Sequence, residues 1–228
     1  AYTARMKTMA VAPTLAEQVR DAVLDEIASG RWPAGSRVIQ EQVAQQLGVS
    51  RQPVQQALLL LREQGVLRDA PGRGLEVAPL APDEIEQVYE LRAVIEGLAA
   101  RRAAERGAAR AAAEGPALVA AGRAAVAAGD LPAMVAADQA FHRFLYELSG
   151  NALIAPAMAA HWTQLRRAMA EVLVRDEQPR DIWAQHAAIL AAVAAGDGAG
   201  AEALAREHLT QAAGYMVARL RAQPPASA

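Results

Sequence analysis

Leu15, Val19, Val23 and Ile27 recur at helical spacing behind Thr14-Leu15-Ala16-Glu17, whose Thr-x-x-Glu form is a capping box. Gly30 stops this helix, and Trp32-Pro33-Ala34-Gly35 is turn chemistry. A short second helix is predicted from about Glu41 to Leu47, with Gly48 as its left-handed C-terminal residue. Ser50 then caps a third helix that turns Val54, Leu58 and Leu61 inward and ends near Gly65. Pro53 is tolerated because it falls in the first turn. Val66-Leu67-Arg68 and Leu75-Glu76-Val77 flank Pro71-Gly72-Arg73-Gly74, as two short strands flank a tight turn. Residues 14–78 therefore predict a winged helix-turn-helix, preceded by an N-terminal tail over 1–13.

Pro79, Pro82 and the acidic pair Asp83-Glu84 open a second block, residues 79–222. Six helical stretches are predicted in it. The breaks fall at Gly107 or the nearby Gly115-Pro116, at Gly129-Asp130, at Gly150-Asn151, at Gln178-Pro179 and at Gly196-Asp197-Gly198. The short connections imply antiparallel neighbours in an all-helical six-helix bundle. Pro224-Pro225-Ala226-Ser227 belongs to a C-terminal tail over 223–228. The fold class is mainly α.

Composition sharpens this picture. Of 228 residues 53% are hydrophobic but only 4% aromatic, and the gap is alanine: 16 of the 30 residues from Ala99 to Ala128. Alanine buries little surface but is the best helix former, so the second block is a bundle built with small side chains. Cysteine is absent, which excludes a disulfide scaffold, a thiolate metal site and a cysteine nucleophile. Arg110, Glu114 and Arg123 interrupt the longest apolar stretches, and Ala1 to Pro13 shows no signal-peptide core, so a cytoplasmic protein is expected.

The net charge of −2 divides into +2 over 1–13, −1 over 14–78 and −3 over 79–228. No segment has the basic excess of a nonspecific nucleic-acid binder, so DNA binding must rest on a few placed arginines. The predicted third helix supplies such a placement. Ser50, Arg51, Gln52, Gln55 and Gln56 occupy its solvent-facing first turns, where a recognition helix meets base edges. Arginine contacts phosphate or guanine, and glutamine pairs with adenine. Arg37 precedes the second helix, where such folds meet the backbone, and Arg73 sits at the hairpin tip between two glycines.

Pro33-Ala34-Gly35-Ser36-Arg37, Leu47 to Leu58 and Gly72-Arg73-Gly74-Leu75-Glu76-Val77 together resemble the GntR family of bacterial transcription regulators. The resemblance carries a DNA-contacting role to Arg37, Ser50, Arg51 and Gly72. It departs at Gln55, where the family usually has arginine; this chain is therefore expected to read guanine weakly there, or to favour adenine.

The second block carries polar residues on apolar stripes. After Pro132 the inward stripe reads Met134, Val135, Asp138, Phe141, His142, Leu145 and Leu148, with Asp138 and His142 one turn apart. His186 falls in line with Ile182, Ile189 and Val193, and His208 with Leu204, Ala212 and Tyr215. The last two histidines each lie eleven residues from Asp197 in the turn, so an antiparallel hairpin sets them level. One carboxylate and three imidazoles converging in a core are good ligands for a divalent transition metal, with Zn, Ni or Mn all plausible. His161, with Ile154, Met158, Leu165 and Met169, suits the core or the wall of a ligand pocket better than ligation. Arg92 lies on the stripe Ile85, Val88, Arg92, Ile95, Ala99 and needs an anionic partner. A carboxylate effector would provide one, and so would an internal pair with Glu96 or Asp138.

These positions, with Leu91 to Glu96, Ser149-Gly150-Asn151, Ile189-Leu190, Gly196-Asp197 and His208-Leu209, resemble the FCD effector-binding domain of the FadR subfamily within GntR. The resemblance implies a metal held by Asp138, His142, His186 and His208, with Arg92 facing a small organic acid. Six helices would place the chain with the shorter, VanR-like variants. The expected function is that of a homodimeric transcription regulator, more readily a repressor, that binds double-stranded operator DNA under the control of that acid. It is expected to have no catalytic residues. A metal-dependent enzyme using the same Asp/His site, or a DNA-binding protein with a purely structural metal, are the competing classes.

Overall fold

The capping box expected at Thr14 is formed in the computed structural model, which describes residues 13–173 and 182–222: the Thr14 hydroxyl accepts from Glu17 N–H and the Glu17 carboxylate from Thr14 N–H. It starts α1 (Leu15–Ala28), followed by β1 (Arg37–Val38), α2 (Gln40–Leu47), α3 (Arg51–Glu63), β2 (Leu67–Asp69) and β3 (Leu75–Val77). Gly48 ends α2 in the left-handed conformation, with φ 64°. The expected hairpin forms, and β3 also pairs antiparallel with β1 on its other edge, giving the order β1-β3-β2. The added strand is two residues long, too short for any alternation to show in the sequence. Ser50 occupies the N-cap position of α3, but its side chain makes no capping hydrogen bond. Val19, Val23, Val54, Ala57, Leu61, Val66 and Val77 form the core of this head.

The second block contains α4 (Pro82–Ala128), α5 (Leu131–Ser149), α6 (Ile154–Leu173), α7 (Ile182–Ala194) and α8 (Gly198–Arg221). Five helices stand here among the described residues, where six were expected. The break at Gly107 or Gly115-Pro116 does not occur: α4 runs unbroken for 47 residues through all three. Packing is the reason. A Cβ at Gly115 would overlap Leu190 and one at Gly122 would overlap the Trp183 ring, so these glycines let α7 approach α4. Burial against α5, α7 and α8 offsets a propensity cost of about 1 kcal/mol per glycine and about 3 for Pro116. The expected breaks at Gly129, Gly150 and Gly196-Asp197 are all present. The expected N-terminal tail over 1–13, apart from Pro13, the expected C-terminal tail over 223–228 and the break at Gln178-Pro179 lie outside the described residues. No described helix is long and apolar enough to cross a membrane.

Helix α6 also touches the head at three places. Gln164 Nε2 donates to the carbonyl of Gln64 at the end of α3 (3.1 Å), and Arg166 pairs with Asp25 of α1 (2.9 Å). Buried Arg167 donates from Nη2 to the carbonyl of Ala78, the last residue of the head before the bundle (2.6 Å). Burial pulls the Arg167 guanidinium down to about 10, against the opposing charge of Glu171.

Candidate metal centre and nucleic-acid interface

The inward stripe of α5 is buried as the spacing requires: Met134, Val135, Asp138, Phe141, His142, Leu145 and Leu148 are all in the core. His186 of α7 and His208 of α8 come level across the turn at Asp197, with Nε2 atoms 3.2 Å apart. One ring nitrogen from each of His142, His186 and His208 lies within 4.8 Å of the other two. Asp138 Oδ1 stands 3.8 Å from His142 Nε2 and 3.6 Å from His186 Nε2. All four residues are buried.

This donor set fits a transition-metal ion. Donors about 2.0–2.1 Å from an ion, at octahedral to tetrahedral angles, stand roughly 2.8–3.4 Å apart. The His186–His208 separation falls inside that range, and the two Asp138 separations are slightly wider. Burial pushes His186 well below the ordinary histidine range, with the charges of His142 and His208 adding to it. Burial, then His142 and Arg92, takes His208 down to about 3. Burial thus holds both rings neutral, and each imidazole has one lone pair to offer a cation. Burial raises the Asp138 carboxyl, against the pull of His142 and Arg92.

Arg92 answers the question that its stripe posed. Its Nε donates to Glu96 Oε1 at 2.6 Å, and both side chains are buried. Burial opposes charge on either group, yet their mutual attraction holds Arg92 above and Glu96 below its ordinary range. The other carboxylate oxygen, Glu96 Oε2, stands 2.5 Å from His142 Nδ1. The guanidinium lies 4.8 Å from the Trp162 ring and 5.1 Å from the Tyr89 ring, in cation–π range. Internal pairing does not use Arg92 fully: buried Nη2 has no hydrogen-bond partner among the described residues.

Beside the histidines lies a cavity of about 230 Å³, walled in part by Tyr89, Arg92, Asp138, His142, His208 and Tyr215. His161 is half-buried on α6 and does not line it. Two further residues take part, Glu96, which the sequence offered only as a possible partner of Arg92, and Gln185. Gln185, whose Oε1 stands 2.7 Å from His208 Nδ1, carries no periodic signal at all.

On the head, Ser50, Arg51, Gln52 and Gln55 are exposed along the first turns of α3. Arg51 pairs with Glu41 of α2 at 3.1 Å. Arg37 donates to the carbonyls of Pro71 (2.7 Å) and Arg73 (2.9 Å), so it braces the wing turn while remaining exposed. Gly72 and Gly74 adopt φ 92° and 96°, which the turn requires and other residues rarely adopt. A groove between α3 and the wing is lined by Arg37, Ile39, Gln40, Leu58 and Arg73.

Comparison with known proteins agrees with both halves. Residues 15–77 match the model of the bacterial regulatory proteins of the gntR family, and residues 87–211 match the FCD domain. A probable D-xylose utilization operon transcriptional repressor of Paenarthrobacter nicotinovorans is 32% identical over 197 residues, 86% of each chain. An HTH-type transcriptional regulator from the TAR-I ttuE-ttuC' intergenic region of Agrobacterium vitis is 38% identical over 128 residues, 54% of this chain and 74% of that one. Among solved structures, Escherichia coli McbR/YncC superposes with a TM-score of 0.78 at 22% identity, over 90% of this chain and 98% of its own, a likeness of fold. The chain belongs to the GntR family of bacterial transcriptional regulators, with a winged helix-turn-helix head joined to an FCD domain.

Proposed function

We propose that the protein is a cytoplasmic, homodimeric repressor whose hold on a pseudo-palindromic operator is relieved by a small carboxylate metabolite. The head spans residues 14–78 and the effector-binding and dimerisation domain 79–222. One observation carries the effector reading: the partnerless Nη2 of Arg92 belongs to a side chain that walls the same cavity as the histidine cluster. A buried donor of this kind calls for an anion, and a carboxylate accepts from Arg in a favourable geometry. Asp138, His142, His186 and His208 would hold Zn, Ni or Mn. The ion would supply a Lewis-acidic anchor for the metabolite's oxygen atoms. Tyr89 and Trp162 flank the guanidinium and Glu96 holds its Nε, so the Nη edge is left for the ligand.

The coupling element is α6. Met169 and Leu173 line the cavity, while Gln164, Arg166 and Arg167 on the same helix grip α3, α1 and the last residue of the head. A ligand that shifts α6 therefore changes the placement of the head. At the operator, the first turns of α3 enter the major groove, with Ser50, Arg51, Gln52 and Gln55 at base edges and phosphates. Arg73 and Gly72 at the wing, braced by Arg37, follow the adjacent backbone. The repressor name of the Paenarthrobacter relative supports repression as the direction of control.

The test is operator binding by the full chain. A duplex selected from random sequence is titrated by fluorescence anisotropy with Zn²⁺ or Ni²⁺ present, and a panel of small mono- and dicarboxylates is added. Release by at least one acid, lost in Arg92→Met, supports the reading; an operator affinity that no acid changes overturns it. By linkage, the releasing acid must bind the DNA complex more weakly than the free protein.

A further inference from the structure

A hydrogen-bond chain with a fixed direction runs from the surface of α8 into the histidine cluster. Gln211 Nε2 donates to Glu207 Oε1 (2.9 Å), Gln185 Nε2 donates to Gln211 Oε1 (2.6 Å), and Gln185 Oε1 faces His208 Nδ1 (2.7 Å). Each link is forced by the one before it. An ionised carboxylate has no proton to give, so Gln211 must turn its NH₂ toward Glu207 and its oxygen toward Gln185. Gln185 must then meet that oxygen with its own NH₂, which leaves its carbonyl for His208. A carbonyl only accepts, so His208 Nδ1 must carry the proton and Nε2 must carry the lone pair. That Nε2 is the atom facing His186 Nε2 at 3.2 Å.

We infer that Glu207, acting through Gln211 and Gln185, selects the tautomer of His208 that turns its lone pair into the cluster. Glu207 and Gln211 are exposed and Gln185 is half-buried, so a surface carboxylate dictates the donor state of a buried imidazole. Glu96 stands in the corresponding place for His142, an acceptor-only group at Nδ1 with Nε2 left toward Asp138. Glu207, Gln211 and Gln185 are thus positioning residues, and His208 presents its Nε2 lone pair to the cluster before any cation arrives. This inference deepens the metal reading above and rests on it for its affinity consequence, while the tautomer itself is measurable without metal.

The sharpest variant is Glu207→Lys. An ammonium only donates, so the chain reverses: Gln211 presents its oxygen to Lys, Gln185 presents its oxygen to Gln211, and His208 Nδ1 now faces an NH₂ and must accept. The proton moves to Nε2 and closes that position to a metal. Gln185→Met removes the acceptor outright, and Glu207→Asp keeps a carboxylate. The full-length chain, labelled with ¹⁵N-histidine and treated with chelator, is read by long-range ¹H–¹⁵N NMR, and Ni²⁺ alone is then titrated calorimetrically. Wild type and Glu207→Asp should show His208 protonated at Nδ1. Glu207→Lys and Gln185→Met should lose that state and bind Ni²⁺ about 10–100-fold more weakly, the usual cost of removing a group that orients a ligand histidine. An unchanged His208 tautomer in Glu207→Lys and Gln185→Met overturns the inference. So does an unchanged Ni²⁺ affinity beside an altered tautomer. If wild type binds neither Ni²⁺ nor Zn²⁺ while the tautomer responds as expected, the relay stands and the metal reading falls.

Discussion

His186 and His208 stand level across the turn at Asp197, their Nε2 atoms 3.2 Å apart, although they belong to different helices and are 22 residues apart. Two neutral imidazoles at that separation, with His142 and Asp138 closing around them, form the most concentrated set of metal donors in the described structure. Four consequences can be measured.

A divalent metal should stabilise the folded chain. With Zn²⁺ or Ni²⁺ at a hundredfold excess over its Kd, binding to the native state alone adds about 2.7 kcal/mol. For a chain of this size that raises Tm by roughly 5–10 °C. Calorimetry before and after chelation provides the check. His186→Ala should abolish the shift, and a wild-type Tm indifferent to both metals would show that the cluster holds no such cation.

The chelated protein should lose stability in mild acid. His208 is held at about 3 in the folded state and His186 well below its ordinary 6.5, so the unfolded chain takes up protons near pH 6 that the folded chain refuses. Their contribution is fully present above about pH 6.5 and fades as pH falls toward about 3, at up to about 1.4 kcal/mol per pH unit for each histidine. Urea midpoints between pH 7 and 5 should fall accordingly, and His208→Gln should flatten the slope.

Arg92 and Glu96 should prove energetically inseparable. Arg92→Met leaves Glu96 buried and uncompensated, at a cost of about 3–5 kcal/mol. Replacing both with methionine should recover a large part of that loss, because two apolar side chains need no partner. Urea unfolding of the two single variants and the double variant closes the cycle; additive losses would contradict the pair seen in the core.

Gln55 should determine base preference and Arg73 should not. Gln55→Arg should favour guanine at the contacted position by about 1–3 kcal/mol, read by selection from random duplexes. Arg73→Ala should weaken binding to every sequence alike and reduce the salt slope by about one phosphate contact. A changed sequence preference in Arg73→Ala would place the wing tip at base edges instead.

Most of the head was legible from residue order, because its signals are local. The Thr14 capping box, Gly48 in the left-handed region and the Pro71–Gly74 turn each act within a few residues, and each appears as expected. The inward stripe of α5 was equally legible, since burial of one helix face requires nothing beyond periodicity. The count of helices was not. Gly107, Gly115 and Pro116 carry the local chemistry of a stop, but α4 continues through them because Leu148 and Leu190 need the space that the two glycines leave.

Sequence alone determined the fold class, the identity and alignment of Asp138, His142, His186 and His208, and the level placement of the last two, because helical geometry converts spacing directly into position. Tertiary structure decided what each polar group meets. It gave Arg92 to Glu96 and left Nη2 without a partner, and it set Gln185 on His208. It also left His161 off the cavity wall and tied α6 to the head. Hydrogen bonds between helices depend on rotation and separation to within a fraction of an ångström, and periodicity along one helix carries no record of the neighbour that packs against it.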